Sequence, residues 1–199
     1  MSAIKIFDKW DTSAIKVEDE GLKRYINLEP IVVPKTGGKN SNQQFHKSRY
    51  HIVERLLNKL MVPGHKGKKH KRSSGHCTGK GLHKLKMIKE AFDIIETKTK
   101  KNPVEVFVKA LENAAPREEI TTIEYGGARY PKAVECSPQR RIDVALRMMI
   151  QGSYASCFKS KRTMVEALAD EIIKAYNTDQ GSNAIAKKLE LERQADASR

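Results

Sequence analysis

The spacing of the apolar residues constrains the fold of this chain more than any other feature of its sequence. Apolar side chains recur at helical spacing in six segments beyond residue 46, and Pro or Gly separates several of them. Two segments open with an N-cap residue followed by proline, which is a typical helix start. We therefore predict a mainly α, bundle-like domain of about six helices. They are expected from Lys47 to Met61, from near Leu82 to Ile95, from Asn102 to Pro116, from Ser137 to Gly152, from Thr163 to Tyr176 and from about Ala184 to Gln194.

A different pattern interrupts the helices between the third and the fourth, at residues 117–136. Here β-branched residues flank the dipeptide Gly126-Gly127. A primed two-residue turn needs positive φ angles, which glycine adopts readily, so the pattern predicts a β-hairpin. Pro131 cannot donate to a central ladder, and we expect the hairpin to protrude on its own. Because an isolated two-stranded ribbon is marginal in water, it would need a partner along its length.

Residues 1–45 are predicted to be an irregular N-terminal extension to a domain of residues 46–199. The stretch "EPIVVPKTGGKNSNQQ" contains two prolines and a Gly-Gly pair, which interrupt regular structure. A short helix is expected around Val17–Tyr25. We expect this extension to lie on a partner or on the domain.

The charge of the chain indicates an acidic partner. The sequence has 38 Lys and Arg against 24 Asp and Glu, a formal net charge of +14. Nucleic acid is the commonest partner of such proteins, and an anionic membrane surface is the alternative. No stretch approaches the ~20 apolar residues of a membrane span, and the N-terminus lacks the apolar core of a signal peptide. Three widely spaced cysteines, Cys77, Cys136 and Cys157, are typical of a reduced cytosolic protein.

Much of the positive charge lies in one segment. Residues 64–89 contain nine Lys or Arg and no acid, and the rest of the chain has a net charge of only +5. We interpret residues 64–81 as a basic loop or insertion that orders when it binds a polyanion, because Lys and Arg neutralise phosphates and nothing opposes their field. A solvated loop without a specific role is the alternative. The basic residues in question are Lys66, Lys68, Lys69, Lys71, Arg72 and Lys80.

Two other interpretations of the same loop are weaker. Zinc prefers four nitrogen or sulfur ligands in paired spacings. His65, His70, His76 and Cys77 supply four, but two of them are adjacent, no CxxC pair is present and the flanking cations repel a metal ion. A phosphate-binding loop is disfavoured because "GHCTGKG" lacks both the Ser or Thr after its lysine and a preceding strand.

A second group of basic residues lies on the fourth predicted helix. Arg140 and Arg147 are seven residues apart and share a face opposite the apolar stripe, with Arg141 beside them. We expect this arginine face to point outward and to bind phosphate, because the guanidinium fork makes paired hydrogen bonds. An ordinary solvated face is the alternative, although such faces usually include acids.

The predicted hairpin tip carries Arg129 together with Tyr125 and Tyr130. Aromatic rings and a cation on a ribbon suit stacking on unpaired bases. Equally, the two tyrosines could pair with each other across the strands.

Catalysis has little support in the sequence. Glu118 and Glu119 are adjacent on a strand, so their side chains point to opposite faces and make a poor acid–base pair. Neither Cys136 nor Cys157 has a histidine nearby in the sequence. Two alternative functions stay open: a DNA-binding regulator built on the helices, which would favour a symmetric dimer, and a zinc-dependent protein that uses the histidine-rich loop.

The stretch "NPVEVFVKALENAAPREEITTIEYGGARYPKAVECSPQRRIDVALRMMI" closely resembles the S-seven family of small-subunit ribosomal proteins. Its most family-like pieces are "ALENAAP", the hairpin tip "YGGARY" and "VECSPQRR". The segments "KRTMVEALADEIIKAY" and "AIAKKLELERQAD" are similar to the closing helices of the family. At the other end, "KW...YINLEPIVVP...GG" resembles the N-terminal extension of its archaeal and eukaryotic branch, so the resemblance covers nearly the whole chain.

The resemblance implies a structural role without catalysis or a cofactor. Family members bind the 3′ major domain of small-subunit rRNA and help to nucleate assembly of the subunit head. By the same resemblance, the tip from Tyr125 to Tyr130 would lie near mRNA and exit-site tRNA, with neighbouring ribosomal proteins as further partners. The expected location is the cytoplasmic ribosome, away from membranes. The basic positions matched to the family are Lys68, Lys69, Arg140, Arg141, Lys187 and Lys188.

The basic loop departs from the family pattern. Members usually have a short Gly-Lys-Lys or Gly-Lys-Arg turn after the first core helix, whereas "LMVPGHKGKKHKRSSGHCTGKGL" is longer. Residues 67–69 correspond to that turn, and an insertion follows them. The role of the inserted part does not follow from the resemblance.

Overall fold

The computed structural model describes residues 4–39, 41–66, 73 and 75–199, and these residues form seven α-helices and one antiparallel hairpin. Six helices are long, and the hairpin lies between the third and the fourth of these, which confirms the predicted mainly α architecture. The helices are α1 (Glu20–Lys23), α2 (Ile52–Leu60), α3 (Gly81–Thr99), α4 (Pro103–Ala114), α5 (Pro138–Cys157), α6 (Met164–Tyr176) and α7 (Asn183–Asp196), and the strands are β1 (Glu118–Tyr125) and β2 (Ala128–Glu135).

Side-chain caps fix most of the helix starts. Asn102 accepts a hydrogen bond from the amide of Val104 at the start of α4, as predicted from its Asn-Pro sequence. Thr163 and Glu166 form a reciprocal capping box at the start of α6. At α2 the cap is His51, whose Nδ1 accepts from the amide of Val53. Histidine is an unusual N-cap, so the sequence did not indicate it.

Helix α6 occupies the centre of the bundle and packs against α3, α4 and α5, while α7 packs against α5 and the base of the hairpin. The core is built from fully buried aromatic and aliphatic side chains, including the ring pair Phe92–Phe107 at 6.0 Å. Within the described residues, none of the helices has both the length and the apolar content that crossing a bilayer requires.

The N-terminal segment lies on the helices and shares their core. Trp10 makes edge-on contacts with Phe7 at 6.0 Å and with Phe92 of α3 at 5.8 Å, and its Nε1 donates to Glu96 at 3.0 Å. Further along, Leu22 of α1 is fully buried. Of the two expectations for this segment, packing on the rest of the chain is therefore the one observed.

The hairpin has the predicted two-residue turn, with φ angles of 57° at Gly126 and 81° at Gly127. Both positive angles match a type I′ turn. Its base is not isolated, because α7 packs against β1 and the amide of Arg117 donates to Glu192 at 3.0 Å. The chain itself therefore supplies the partner that the base requires, and only the tip protrudes.

Helix α5 continues beyond Gly152, where the sequence predicted its end. Gly152 lies against the start of α7, and a Cβ at this position would come within 2.6 Å of Asn183 Cβ. The glycine therefore permits a close approach of two helices, and α5 runs on to Cys157. The predicted helix end was wrong because glycine serves packing here.

Candidate nucleic-acid interface

A basic groove separates α2 from α5. Its cations are Lys47 from the 3₁₀ turn His46–Arg49, Arg55 and Lys59 from α2, and Arg147 from α5. The sequence prediction included only Arg147. We call this feature the α2/α5 groove and define it by Lys47, Tyr50, Arg55, Asn58, Lys59, Asp143, Leu146 and Arg147.

One acid partly neutralises these four cations. Asp143 accepts from Arg55 Nη2 at 2.9 Å and also pairs with Lys47. Burial acts to raise the pKa of Asp143, but hydrogen bonds from Lys47 and Arg55 hold that pKa below its usual value. The carboxylate is therefore ionised at neutral pH and serves two cations.

The other two cations of the groove, Lys59 and Arg147, make no salt bridge within the described part of the chain. Burial lowers the pKa of Lys59, and the positive charge of Arg147 lowers it further. The positive charges of Lys59 and Arg147 therefore repel each other at a half-buried surface. An anion bound in the groove would relieve this repulsion.

The two neighbouring arginines at the start of α5 differ in their surroundings. Arg140 is exposed and pairs with Glu119 of β1. Arg141 was expected on the outward-facing surface, but its side chain is buried: Nη2 donates to Asp19 Oδ2 at 2.7 Å and Nε to the carbonyl of Pro116 at 3.1 Å. That expectation was wrong because Arg141 holds the N-terminal segment against the hairpin base. Arg147 is half-buried in the groove.

The two lysines predicted on α7 make contacts within the chain. Lys188 Nζ donates to the carbonyl of Asn113 at 2.9 Å, and burial lowers the pKa of Lys188. Lys187 pairs with Glu190 one helical turn further on, at 2.8 Å. Lys188 therefore joins α7 to the end of α4, and neither lysine has an unpaired ammonium group directed at a partner.

The hairpin tip separates its aromatic residues from its cation. The strand register places Tyr125 opposite Ala128 and Tyr130 opposite Ile123, so both tyrosines share one face without being direct cross-strand partners. Tyr125 is 81% exposed and Tyr130 58%. Arg129 lies on the other face, opposite Glu124, at 3.6 Å from its carboxylate.

Only part of the basic loop falls within the described residues. Lys66 and Lys80 are exposed there, whereas Lys68, Lys69, Lys71 and Arg72 lie outside the described residues. For the zinc alternative, His70 also lies outside them. In the described part of the chain, no three His, Cys, Asp or Glu side chains come together as metal ligands.

The thiols considered as nucleophiles are protonated at neutral pH. Burial, helped by the negative charge of Glu119, raises the pKa of Cys136 to about 11. Burial also raises the pKa of Cys157. Neither environment stabilises the thiolate that nucleophilic catalysis needs.

Lys47, Arg55 and Lys59 of the groove were not predicted from the sequence, although one local pattern joins two of them. Arg55 and Lys59 are four residues apart and share a face of α2. Their proximity to Arg147 depends on the pairing of α2 with α5, which no local pattern specifies.

Comparison with known proteins shows the family of the chain. The family model described as ribosomal protein S7p/S5e matches residues 22–199. A small ribosomal subunit protein uS7 from Nanoarchaeum equitans is 54% identical over 196 residues, covering 98% of this chain and 99% of the relative. The uS7 proteins of Methanococcoides burtonii and Methanothrix thermoacetophila are 48% and 45% identical, covering 98% of this chain and 99% and 100% of those relatives. The chain therefore belongs to the ribosomal protein S7p/S5e family.

Proposed function

We propose that this chain is a structural protein of the small ribosomal subunit that binds the 3′ major domain of the rRNA and supports assembly of the subunit head. Its relatives are named as proteins of the small ribosomal subunit, not as enzymes. The cytoplasmic ribosome is the proposed location. Family membership argues against the alternative of a DNA-binding regulator.

The observation that carries the RNA-binding proposal is the excess of cations in the α2/α5 groove. Four cationic side chains line it and Asp143 partly balances them, with Lys59 and Arg147 left unpaired among the described residues. A phosphate backbone in the groove accepts hydrogen bonds from these cations and releases its condensed counterions. Burial lowers the pKa of Lys59 and the charge of Arg147 lowers it further, and a bound phosphate relieves the second of these effects.

The predicted basic residues fall into two roles under this proposal. Lys66, Lys80 and Arg147 contact phosphate directly, as would Lys68, Lys69, Lys71 and Arg72 of the loop. The interactions of Arg140, Arg141, Lys187 and Lys188 with Glu119, Asp19, Glu190 and Asn113 support a different role for these four. Arg140 joins α5 to β1, Arg141 joins α5 to the N-terminal segment, and Lys188 joins α7 to the end of α4, so these three help to fix the surface that the RNA meets. Lys187 pairs only within α7.

Binding to folded RNA is tested by competition. The purified chain is expected to bind a fragment of the 3′ major domain, and duplex DNA at the same phosphate concentration as the RNA should not displace it. Equal competition by the DNA, together with a symmetric protein dimer, would support the regulator instead.

We also propose that the hairpin tip lies near mRNA and exit-site tRNA. Support comes from the exposed face of Tyr125 and Tyr130, because unpaired bases stack on such rings. A photocrosslinking residue at position 125 should attach to mRNA or tRNA in intact ribosomes. The same residue at exposed Glu190 of α7 should attach to neither, and identical products from both positions would argue against this placement.

A further inference from the structure

Beside the α2/α5 groove lies a second cleft, and Phe45 is its most unusual residue. The Phe45 side chain is 68% exposed, and its backbone adopts a left-handed conformation with φ of 60°. A bulky residue rarely adopts this conformation, which is found where surrounding structure enforces it and often at functional sites.

Helix α5 anchors the backbone of Phe45 and the 3₁₀ turn that follows it. Gln139 Nε2 donates to the carbonyl of Phe45 at 3.1 Å and also to Ser48 Oγ. Both bonds join the 3₁₀ turn to the first turn of α5. The exposed ring is therefore presented from an anchored backbone.

The surroundings of Phe45 are positively charged. Arg24 and Arg49 are exposed and make no salt bridge with any described residue, and His46 lies beside them. No Asp or Glu occurs among the described residues that line the cleft. We call this the Phe45 cleft and define it by Arg24, Tyr25, Gln43, Gln44, Phe45, His46, Ser48, Arg49, Ser137, Pro138 and Gln139.

The Phe45 cleft and the α2/α5 groove share one structural element. The turn His46–Arg49 contributes Lys47 to the groove and His46, Ser48 and Arg49 to the cleft. An RNA strand that crosses this turn would meet the cations of the α2/α5 groove on one side. On the other side it would meet the Phe45 ring, which is flanked by Arg24 and Arg49.

We propose that the Phe45 cleft binds one unpaired nucleotide of RNA, with its base stacked on Phe45 and the adjacent phosphates bound by Arg24 and Arg49. This inference rests on the proposed RNA-binding function and assigns a nucleotide site within it. An exposed ring offers a π-face that any base can cover, and arginine forks bind phosphate oxygens in pairs. The absence of acids among the described lining residues favours a nucleotide over a basic peptide.

The stack is tested with Phe45→Ala in the full chain, using an rRNA fragment of the 3′ major domain. We expect affinity to fall about tenfold, the effect of one lost base–aromatic stack, without a change in salt dependence because no charge is removed. Arg49→Gln should instead reduce the slope of log affinity against log salt by about 0.7 to 0.9. The matched control is Phe158→Ala, since Phe158 is also exposed, at 40%, and does not line this cleft.

A second variant separates binding from folding. Phe45→Gly removes the ring, and glycine adopts the positive φ angle of this position without steric cost, so the melting temperature should equal or exceed that of the wild type while the affinity falls. If the wild type binds the rRNA fragment and Phe45→Ala binds equally well, or if Phe158→Ala loses as much, the nucleotide site is wrong and the proposed function stands. If the wild type itself does not bind, the proposed function fails.

Crosslinking identifies the occupant of the cleft. Ultraviolet irradiation of intact small subunits should attach a single nucleotide to the peptide that contains Phe45. A photocrosslinking residue introduced at position 45 would report a protein contact instead. If it attaches to a neighbouring protein and to no nucleotide, the proposal is overturned.

Discussion

At the residue scale, Arg140 and Arg141 show how neighbouring identical side chains take different roles. Arg141 is buried against Asp19, whereas Arg140 is exposed beside Glu119. Removing one partner of a buried pair leaves the other charge uncompensated, and exposed pairs contribute little. We expect Arg141→Ala to lower the free energy of unfolding by roughly 2–4 kcal/mol and Arg140→Ala by less than about 1 kcal/mol. Urea denaturation measures both, and equal losses would contradict the assigned role of Arg141.

His51 should make folding sensitive to acid. Burial lowers the pKa of His51 to about 4, against partial opposition from the carboxylate of Glu29. In the unfolded chain, His51 binds a proton as the pH falls through about 6.5. In the folded chain, it binds this proton only near pH 4. The contribution of His51 to stability is complete above pH 6.5 and is lost as the pH falls towards 4, by up to about 3 kcal/mol.

The variant His51→Asn isolates this effect, because the side-chain oxygen of asparagine can replace His51 Nδ1 as the N-cap acceptor without adding a titratable group. Unfolding free energies at pH 4.5 and 7.5 should differ less in the variant than in the wild type. An unchanged difference would show that His51 does not titrate in this window.

At the element scale, the contact between α5 and α7 depends on Gly152. Alanine usually stabilises a helix interior relative to glycine. At this position, however, a Cβ would meet Asn183 Cβ at 2.6 Å and Glu171 Oε1 at 3.2 Å. We expect Gly152→Ala to destabilise the fold by about 1–3 kcal/mol, as overpacking does. Ser156→Ala, at an exposed site on the same helix, should change stability by less than about 0.5 kcal/mol, and equal thermal midpoints for both variants would contradict the packing role.

The elements that were predictable from sequence are those with local causes. The Asn102-Pro103 start of α4 and the Gly126-Gly127 turn depend on the preferences of adjacent residues. The continuation of α5 through Gly152 and the burial of Trp10 depend on segments distant in sequence. Periodicity thus identified the helices and the hairpin, but not what fills the space between them.

At the scale of the whole molecule, net charge indicated an acidic partner without locating its site. The basic loop and the arginines of α5 stood out in the sequence, yet Arg140 and Arg141 pair with acids of the chain. The α2/α5 groove combines Lys59 with Arg147, which are 88 positions apart, and Phe45 becomes notable only through its exposure and backbone angle. Tertiary packing decides which cations remain unpaired.

Lys59 and Arg147 of the α2/α5 groove form no salt bridge with any described residue, and under the proposed function they bind phosphates of rRNA. The salt dependence of RNA affinity measures these contacts. Each phosphate contact contributes about 0.7 to 0.9 to the slope of log affinity against log salt. The wild type should show a steep slope, and Lys59→Ala with Arg147→Ala should reduce it by roughly 1.5. The matched control removes two exposed lysines outside the groove, Lys86→Ala with Lys161→Ala, and should keep the wild-type slope. A wild-type slope near that of a single contact, or an unchanged slope in the groove variant, would show that the α2/α5 groove does not bind rRNA phosphates.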